Sequence, residues 1–212
     1  MVGSSTSVVQ AANEYFDALV KSRFIEMFGL IDISSQNKEW SEIRDVGVVL
    51  TGSTPKTGMD EYWGGDNLWI TPAELSVDRK YYSDTERKIT DLGVQSCSLD
   101  KIEPGTVLLT SRAPIGKVGI ATSQMYCNQG FKNIQCGHKI NSEYLYTLLF
   151  YNTEYLNSLG RGATFKEISR KIVESIRIPV PSIELQNQFA DFVKQVDKSK
   201  FILSRMAELL GL

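Results

Sequence analysis

The stretch LQNQFADFVKQVDKSKFILSRMAELL, residues 185–210, decides how this chain is built. Apolar side chains recur along it in steps of four and three residues, the spacing of a heptad seam. The seam positions are Leu185, Phe189, Phe192, Val196, Ser199, Leu203, Met206 and Leu210. A helix that starts at Pro181 would be about 40 Å long, too long for a small domain to cover. The pattern therefore predicts a coiled-coil helix with a helical partner.

The alternative for this stretch is an ordinary amphipathic helix packed on its own domain, because about four heptads barely define a coiled coil. A second helix is predicted from about residue 8 to residue 28, where Gly29 stands in a C-cap position after the apolar pattern. That pattern consists of Val9, Ala12, Phe16, Leu19 and Val20. The motif KSRFI at 21–25 recurs with one change as KSKFI at 198–202. This repeat suggests two related spacer helices, although five residues can match by chance.

Between the two helices, the chain is rich in short β-prone runs separated by turns that contain Gly and Pro. Strands are predicted at 43–50, 68–71, 106–110, 117–122, 132–135 and 175–180. Two helical patterns interrupt them, a short one over 164–171 and a longer one that begins near Asn141. The longer one carries Tyr144, Leu145, Leu148 and Leu149 on one face. We therefore predict an α+β chain with a strand-rich domain over 31–181 and helices over 1–30 and 182–212.

Composition favours a folded protein. With 212 residues, of which 42% are hydrophobic, the chain can bury a real core. It has neither the run of about 20 apolar residues that a membrane span needs nor the pattern of a signal peptide, so a soluble, cytoplasmic protein with no membrane partner is expected. Cys97, Cys127 and Cys136 form no C-x-x-C pair and have only His138 to join them in a metal site, so we expect reduced core thiols.

Charge is unevenly distributed along the chain. The net charge of -2 argues against a nucleic-acid partner, because phosphate binding usually leaves a basic surface. However, residues 38–100 hold 7 Lys and Arg against 12 Asp and Glu, whereas residues 101–171 hold 9 against 4. The second segment is therefore basic enough to face DNA, although an ordinary solvated surface would have the same composition.

No complete catalytic motif is present. Residues 111–117 end in the Gly-Lys of a phosphate-binding loop, but Ser111 stands in place of the first glycine and Val118 in place of the metal-binding Ser or Thr. The sequence contains no G-x-G-x-x-G fingerprint, no Asn/Asp-Pro-Pro-aromatic methyltransferase motif and no nuclease metal motif. One histidine leaves little room for a Ser-His-Asp triad. We therefore predict that the chain is not an enzyme.

Short motifs follow one another in a fixed order along the rest of the sequence. They are TGSTPK at 51–56, EYWGG at 61–65, LWITP at 68–72, GTVLLTSRAPIGK at 105–117, NQGF at 128–131, GATFKEIS at 162–169, IPVP at 178–181 and ELQNQ at 184–188. This ordered set resembles the target-recognition domains and helices of type I restriction-modification specificity subunits. RFIEMFG at 23–29 also resembles the end of that family's spacer helix, so the resemblance covers nearly the whole chain. This sequence departs from the family pattern in having one recognition domain instead of two.

The resemblance implies a non-catalytic subunit that selects the DNA sequence. Methyltransferase subunits and, in some complexes, restriction subunits would do the chemistry with adenosyl-methionine and with ATP and Mg²⁺, so no cofactor is expected in this chain. It also implies that the spacer helices form an antiparallel coiled coil of fixed length. The expected helix-pairing residues are Phe16, Leu19, Leu185, Phe189, Phe192, Val196, Leu203 and Met206.

A homodimer of this half-length form would read an interrupted palindrome in double-stranded DNA. The alternative is a silent or structural recognition cassette, which folds but does not assemble on its own.

Loop residues that can donate hydrogen bonds to phosphates or base edges are the DNA-binding candidates. They are Ser53, Thr54, Lys56, Arg112, Lys117, Gln129, Lys132, Arg161, Thr164 and Lys166. Arg112 and Lys117 flank an Ala-Pro-Ile-Gly turn that would direct both at the phosphate backbone. Gln129 suits the paired hydrogen bonds of an adenine, and the segment around Arg161 leads into a helix start suited to phosphate.

Each of these candidates has a structural alternative. The 51–56 turn can be purely structural, the basic residues can be solvated surface charges, Gln129 can satisfy buried backbone, and Thr164 can be a helix N-cap. The aromatic residues Tyr62, Trp63 and Trp69 can stack on bases, but packing in the core is the stronger interpretation.

Overall fold

The structure is a computed structural model, and it describes residues 3–112, 114–162 and 166–210. The chain forms two compact units, Met1–Ile31 with Pro181–Leu212 and Asp32–Val180. The helices are α1 (Gly3–Phe28), α2 (Ile43–Val46), α3 (Asp91–Gln95), α4 (Ser142–Tyr151), α5 (Thr153–Ser158), α6 (Arg170–Ser175) and α7 (Ile183–Leu210). The strands are β1 (Ser41–Glu42), β2 (Gly47–Thr51), β3 (Trp63–Ile70), β4 (Tyr81–Tyr82), β5 (Arg87–Ile89), β6 (Val107–Leu109), β7 (Val118–Ala121), β8 (Tyr126–Cys127), β9 (Lys132–Cys136) and β10 (Arg177–Ile178). This mixture confirms the α+β prediction.

In the first unit, α1 and α7 pack against each other in antiparallel directions. The Phe189 ring of α7 lies 5.4 Å from the Phe24 ring and 5.6 Å from the Phe28 ring, near the end of α1. Lys200, further along α7, pairs with Asp17, which is earlier in α1. The prediction that α1 begins near residue 8 is wrong, because the helix begins at Gly3. Helix extension adds one hydrogen bond per residue, so a helix can run beyond its packed part.

The structure buries a line of α7 residues that differs in part from the predicted seam. The buried residues are Gln186, Phe189, Val193, Val196 and Ala207. Phe189 and Val196 belong to both lines, whereas Phe192 is half-buried under Arg23 and Met206 is 53% exposed. Phe16, Leu19, Leu185 and Leu203 are half-buried. The sequence pattern favoured large side chains, but small ones such as Val193 and Ala207 can face inward where helices approach closely.

The second unit is built on a five-stranded sheet with the strand order β2-β9-β6-β7-β4. β9 is antiparallel to both β2 and β6, and β6 is antiparallel to β7. A three-stranded sheet, in the order β5-β3-β8, and the β1-β10 pair complete the strand pairing. A core cluster consists of Leu50, Ile70, Leu75, Tyr82, Ile102, Leu108, Ala121, Met125, Cys127 and Phe131. These residues come from both larger sheets, so the cluster fixes their loops relative to each other.

Several predicted elements of this unit are confirmed and others are wrong. Tyr144, Leu145, Leu148 and Leu149 of α4 are all buried, as their spacing predicts. The strand predicted at 43–50 is wrong over its first half, because α2 occupies it; the Asp45 carboxylate accepts a hydrogen bond from the Glu42 backbone N–H at 3.0 Å. The helix predicted over 164–171 is wrong over residues 166–169 and correct at residues 170 and 171. Residues 166–169 are not helical, and α6 starts at Arg170 behind the N-cap Ser169.

The three cysteines are free thiols; Cys127 is buried in the core, and Cys97 and Cys136 are half-buried. Burial raises the pKa of Cys127 and of Cys136 to about 12, so both remain protonated at neutral pH. Across the described residues, no helix is both long enough and apolar enough to cross a membrane.

Candidate nucleic-acid interface

Loops from distant parts of the sequence meet at one edge of the five-stranded sheet. Because β9 is antiparallel to β2 and β6, its start lies beside their ends, and Thr51 pairs with Lys132. The backbone N–H of Ser53 donates to the Cys127 carbonyl at 3.1 Å, and that of Ser111 donates to the Gly130 carbonyl at 2.7 Å. Residues 51–54, 127–131 and 110–112 therefore run side by side.

Gly52 allows the first of these contacts. A Cβ atom at this position would lie 2.0 Å from the Cys127 carbonyl oxygen and 2.3 Å from that of Asn128. Only glycine lets the two backbones approach so closely. The Thr54 hydroxyl then donates to Oε1 of the exposed Gln129 side chain. The structure thus brings together the predicted candidates Ser53, Thr54 and Gln129.

A backbone bridge with Glu167 brings Arg161 to the same edge. The backbone N–H groups of Arg161 and Glu167 each donate to the other residue's carbonyl, at 3.0 Å and 2.9 Å. On its other side, Glu167 forms an antiparallel bridge with Arg112, and Ile168 N–H donates to the Ser111 carbonyl at 2.9 Å. Residues directly opposite each other on neighbouring strands share one face. Arg112, Glu167 and Arg161 therefore form a row across three adjacent segments.

Glu167 holds two of the predicted cations. Its Oε2 accepts a hydrogen bond from Arg112 Nε at 3.0 Å, and its Oε1 lies 3.3 Å from Lys132 Nζ. Lys132 is only 8% exposed. Its ammonium also meets Ser111 Oγ at 3.4 Å, the Gln129 carbonyl at 3.4 Å and the Phe131 carbonyl at 3.2 Å. Lys132 thus lies inside the domain, below the exposed row.

We call Arg112, Arg161, Lys166, Lys132 and Glu167 the basic edge. It contains four cationic residues and one carboxylate; Arg112 and Lys132 pair with that carboxylate, and Arg112, Arg161 and Lys166 are exposed. An excess of positive charge on an exposed row attracts phosphates. Sequence reasoning missed Glu167, although its position inside GATFKEIS, in a segment with few acidic residues, is a signal that could have found it.

Other predicted candidates lie apart from this row. Lys117 Nζ donates to the Leu75 carbonyl at 2.7 Å, so it has a different partner from Arg112. Lys56 is exposed at the end of the 53–56 segment. Thr164 lies outside the described residues. The aromatic candidate Trp69 is 2% exposed, and its Nε1 donates to the Ser53 carbonyl at 3.1 Å, as expected for core packing.

Comparison with known proteins shows which family the chain is similar to. Residues 36–209 match the family model described as the type I restriction modification DNA specificity domain. The chain belongs to the type I restriction-modification specificity family. The MjaIX specificity subunit of Methanocaldococcus jannaschii is 42% identical over 201 residues, which are 89% of this chain and 46% of that subunit.

Solved structures of specificity subunits share the fold. The HsdS subunit of Thermoanaerobacter tengcongensis superimposes with a TM-score of 0.64 at 19% identity, over 95% of this chain and 48% of that one. The S subunit of M. genitalium gives a TM-score of 0.54 at 15% identity, over 82% of this chain and 43% of that one. This specificity chain therefore spans about half the length of the relatives that it matches.

Proposed function

We propose that this specificity chain reads double-stranded DNA with its basic edge and with the neighbouring loop residues Ser53, Thr54 and Gln129. The observation that carries the proposal is the row of Arg112, Glu167 and Arg161 beside Gln129. Two arginines in register match the charge of a phosphate backbone, and an exposed amide next to them matches a base edge.

The contacts indicate which of these residues would bind DNA and which would hold the others in place. Arg112 uses Nε for Glu167, so its terminal nitrogens remain available for a phosphate oxygen. Thr54 fixes the Oε1 side of Gln129, and the Nε2 group of that amide still has two hydrogens to donate to a base. Lys132 and Glu167 hold this arrangement from below, which is a supporting role rather than the direct DNA contact expected of Lys132.

We further propose that the chain works with methyltransferase subunits and, in some complexes, with restriction subunits. Adenosyl-methionine, ATP and Mg²⁺ would be bound by those partners, and this chain would contribute no catalytic group. The sequence supports this division, because it lacks complete catalytic motifs.

The function is tested by co-expressing the chain with its cognate methyltransferase subunit and mapping methylated adenines across the genome. We expect methylation at one interrupted palindrome. The double variant Arg112→Ala/Arg161→Ala should lower methylation at all copies of that site alike, because phosphate contacts carry no sequence information. With the purified complex, the slope of log affinity against log salt should fall by roughly 2, about one for each lost phosphate contact.

The matched control is Arg44→Ala, which removes an exposed arginine that pairs with Glu42 away from the basic edge. It should leave both the methylation pattern and the salt slope unchanged. An absence of methylation with the wild-type chain would contradict the proposal and favour the silent cassette.

Two copies of the chain would form the working subunit in this proposal. Near its C-terminal end α7 exposes large apolar side chains, including Ile202 at 48%, Met206 at 53% and Leu209 at 82%. They recur at i, i+4 and i+7, which places them on one helix face. Because the chain spans about half of its relatives, two copies would supply both recognition domains of one full-length subunit. A two-fold axis between them would make the target palindromic.

The dimer is tested by light scattering on the purified chain. We expect twice the mass of the chain, and the double variant Met206→Glu/Leu209→Glu should give the single mass while keeping its helical circular dichroism. Charges on an apolar contact face oppose association, but exposed positions tolerate them in the monomer. The control Val77→Glu changes a side chain that is 71% exposed in the other unit and should remain dimeric. A wild-type chain that is monomeric at every concentration would exclude the homodimer.

A further inference from the structure

Arg87, which the motifs did not single out, lies against a pair of tryptophans that contact each other. Its guanidinium carbon lies 3.7 Å from the centre of the Trp63 ring and 5.3 Å from that of the Trp69 ring. The two rings meet edge to face, with centres 5.1 Å apart. The β3-β5 pairing creates this arrangement, because Arg87 and Trp69 are directly opposite each other. A guanidinium over an indole face gains cation-π attraction.

The two tryptophans under Arg87 are fixed to the 53–56 segment. Nε1 of Trp69 donates to the Ser53 carbonyl at 3.1 Å, and Nε1 of Trp63 donates to the Lys56 carbonyl at 3.3 Å. Both indole N–H groups are therefore used by the protein, and Arg87 covers a face of Trp63. This contact makes Trp63 a support for Arg87 rather than a surface on which a base would stack.

Arg87 is an exposed residue, and within the described residues its guanidinium has no hydrogen bond or ion pair of its own. Its neighbour Lys88, by contrast, pairs with Asp84 at 3.4 Å. Stacking restricts the plane of a guanidinium but leaves its edge free, and that edge carries five N–H donors. This tryptophan platform is also linked to the loop of the proposed DNA-reading residues, because Trp69 binds Ser53 and the next residue, Thr54, binds Gln129. A planar fork held by stacking matches the two neighbouring acceptors of a guanine edge.

We propose that Arg87 is a specificity-determining residue that donates two parallel hydrogen bonds to O6 and N7 of a guanine in the major groove. This inference rests on the proposed function in DNA reading. Arginine paired with these two guanine atoms is the most common specific contact of this kind, and the tryptophan platform orders the side chain before DNA arrives.

The experiment compares target motifs of the chain co-expressed with its methyltransferase subunit, again by mapping methylated adenines. The wild-type motif should contain a required guanine in each half-site. With Arg87→Ala, discrimination at that guanine should fall by roughly 10- to 100-fold while the other positions of the motif are retained. Arg87→Lys keeps the charge but loses the planar fork, so it should relax the same position. Lys88→Ala, on the same strand, is the matched control and should keep the wild-type motif.

The possible outcomes separate this inference from the proposed function. An unchanged motif with Arg87→Ala, or an equal loss of methylation at all sequences, would overturn the role of Arg87 while leaving DNA reading intact. An Arg87→Lys variant that behaves as wild type would also overturn it. A wild-type chain that directs no methylation would remove both proposals together. Thermal unfolding of each variant, with the same midpoint expected, shows that a relaxed motif does not come from a damaged fold.

Discussion

Replacement of Gly52 by alanine is expected to destabilise the strand-rich unit by about 3 kcal/mol or more, because the new methyl group would overlap backbone. Its Cβ would lie 2.0 Å and 2.3 Å from two carbonyl oxygens, which cannot rotate away as a side chain can. Relief of this overlap requires the 53–56 segment to move away from residues 127–129. Chemical denaturation should show a lower midpoint, and methylation directed by the variant should fall with it.

The chain offers a close control for this substitution. Gly58 is in the same loop region, and a Cβ added there would meet nothing within 4 Å. Gly58→Ala should therefore leave stability unchanged or raise it by up to about 1 kcal/mol through the unfolded state. Equal stabilities of the two variants would show that the close approach at Gly52 is not required.

Replacement of Phe189 by alanine is expected to cost the helix pair about 3–5 kcal/mol, the usual range for a fully buried phenylalanine. Phe189 is 0% exposed and contacts the rings of both Phe24 and Phe28, so the substitution leaves a cavity between α1 and α7. Denaturation followed by circular dichroism at the helical wavelength measures the loss. We expect the helical signal to disappear at a lower denaturant concentration.

Phe201→Ala is the control for this experiment, because the same side chain is removed from the same helix at a position that is 65% exposed. Its effect should stay within about 0.5 kcal/mol. If Phe201→Ala were as damaging as Phe189→Ala, packing between α1 and α7 would not be what stabilises the helices.

Periodic patterns predicted the elements whose burial is regular. Apolar spacing predicted the face of α4, the strands near 106–110 and 117–122, and a helix towards each end of the chain. The antiparallel pairing of those two helices was expected only from the family resemblance. The pattern failed where local capping determines the structure. At α2, a segment with the composition of a strand forms one helical turn, because Asp45 and Glu42 cap its start. The pattern also could not tell whether Phe192 or Val193 is buried. Both positions fit a heptad, and contact with the partner helix determines which of them faces inward.

The candidate site was predicted in part for a related reason. Loop chemistry identified Thr54, Gln129, Arg112 and Arg161, because turn residues with hydrogen-bond donors are visible in a sequence. Glu167 was not predicted, since its partners Lys132 and Arg112 are 35 and 55 positions away. Arg87 was not predicted either, because its role depends on contact with Trp63 and Trp69, which lie on another strand.

The Glu167 carboxylate pairs with Arg112 and with Lys132, and these pairs restrict where two related chains can be joined in a chimera. A crossover between residues 132 and 167 would give a chimera Arg112 and Lys132 of one parent and residue 167 of the other, so both ion pairs would depend on a residue from the second parent. Crossovers in the terminal helices keep the two together. We therefore expect a chimera to fold best when the complete 32–180 unit is transferred, and loop grafts to change specificity when Glu167 is transferred together with Arg112 and Lys132.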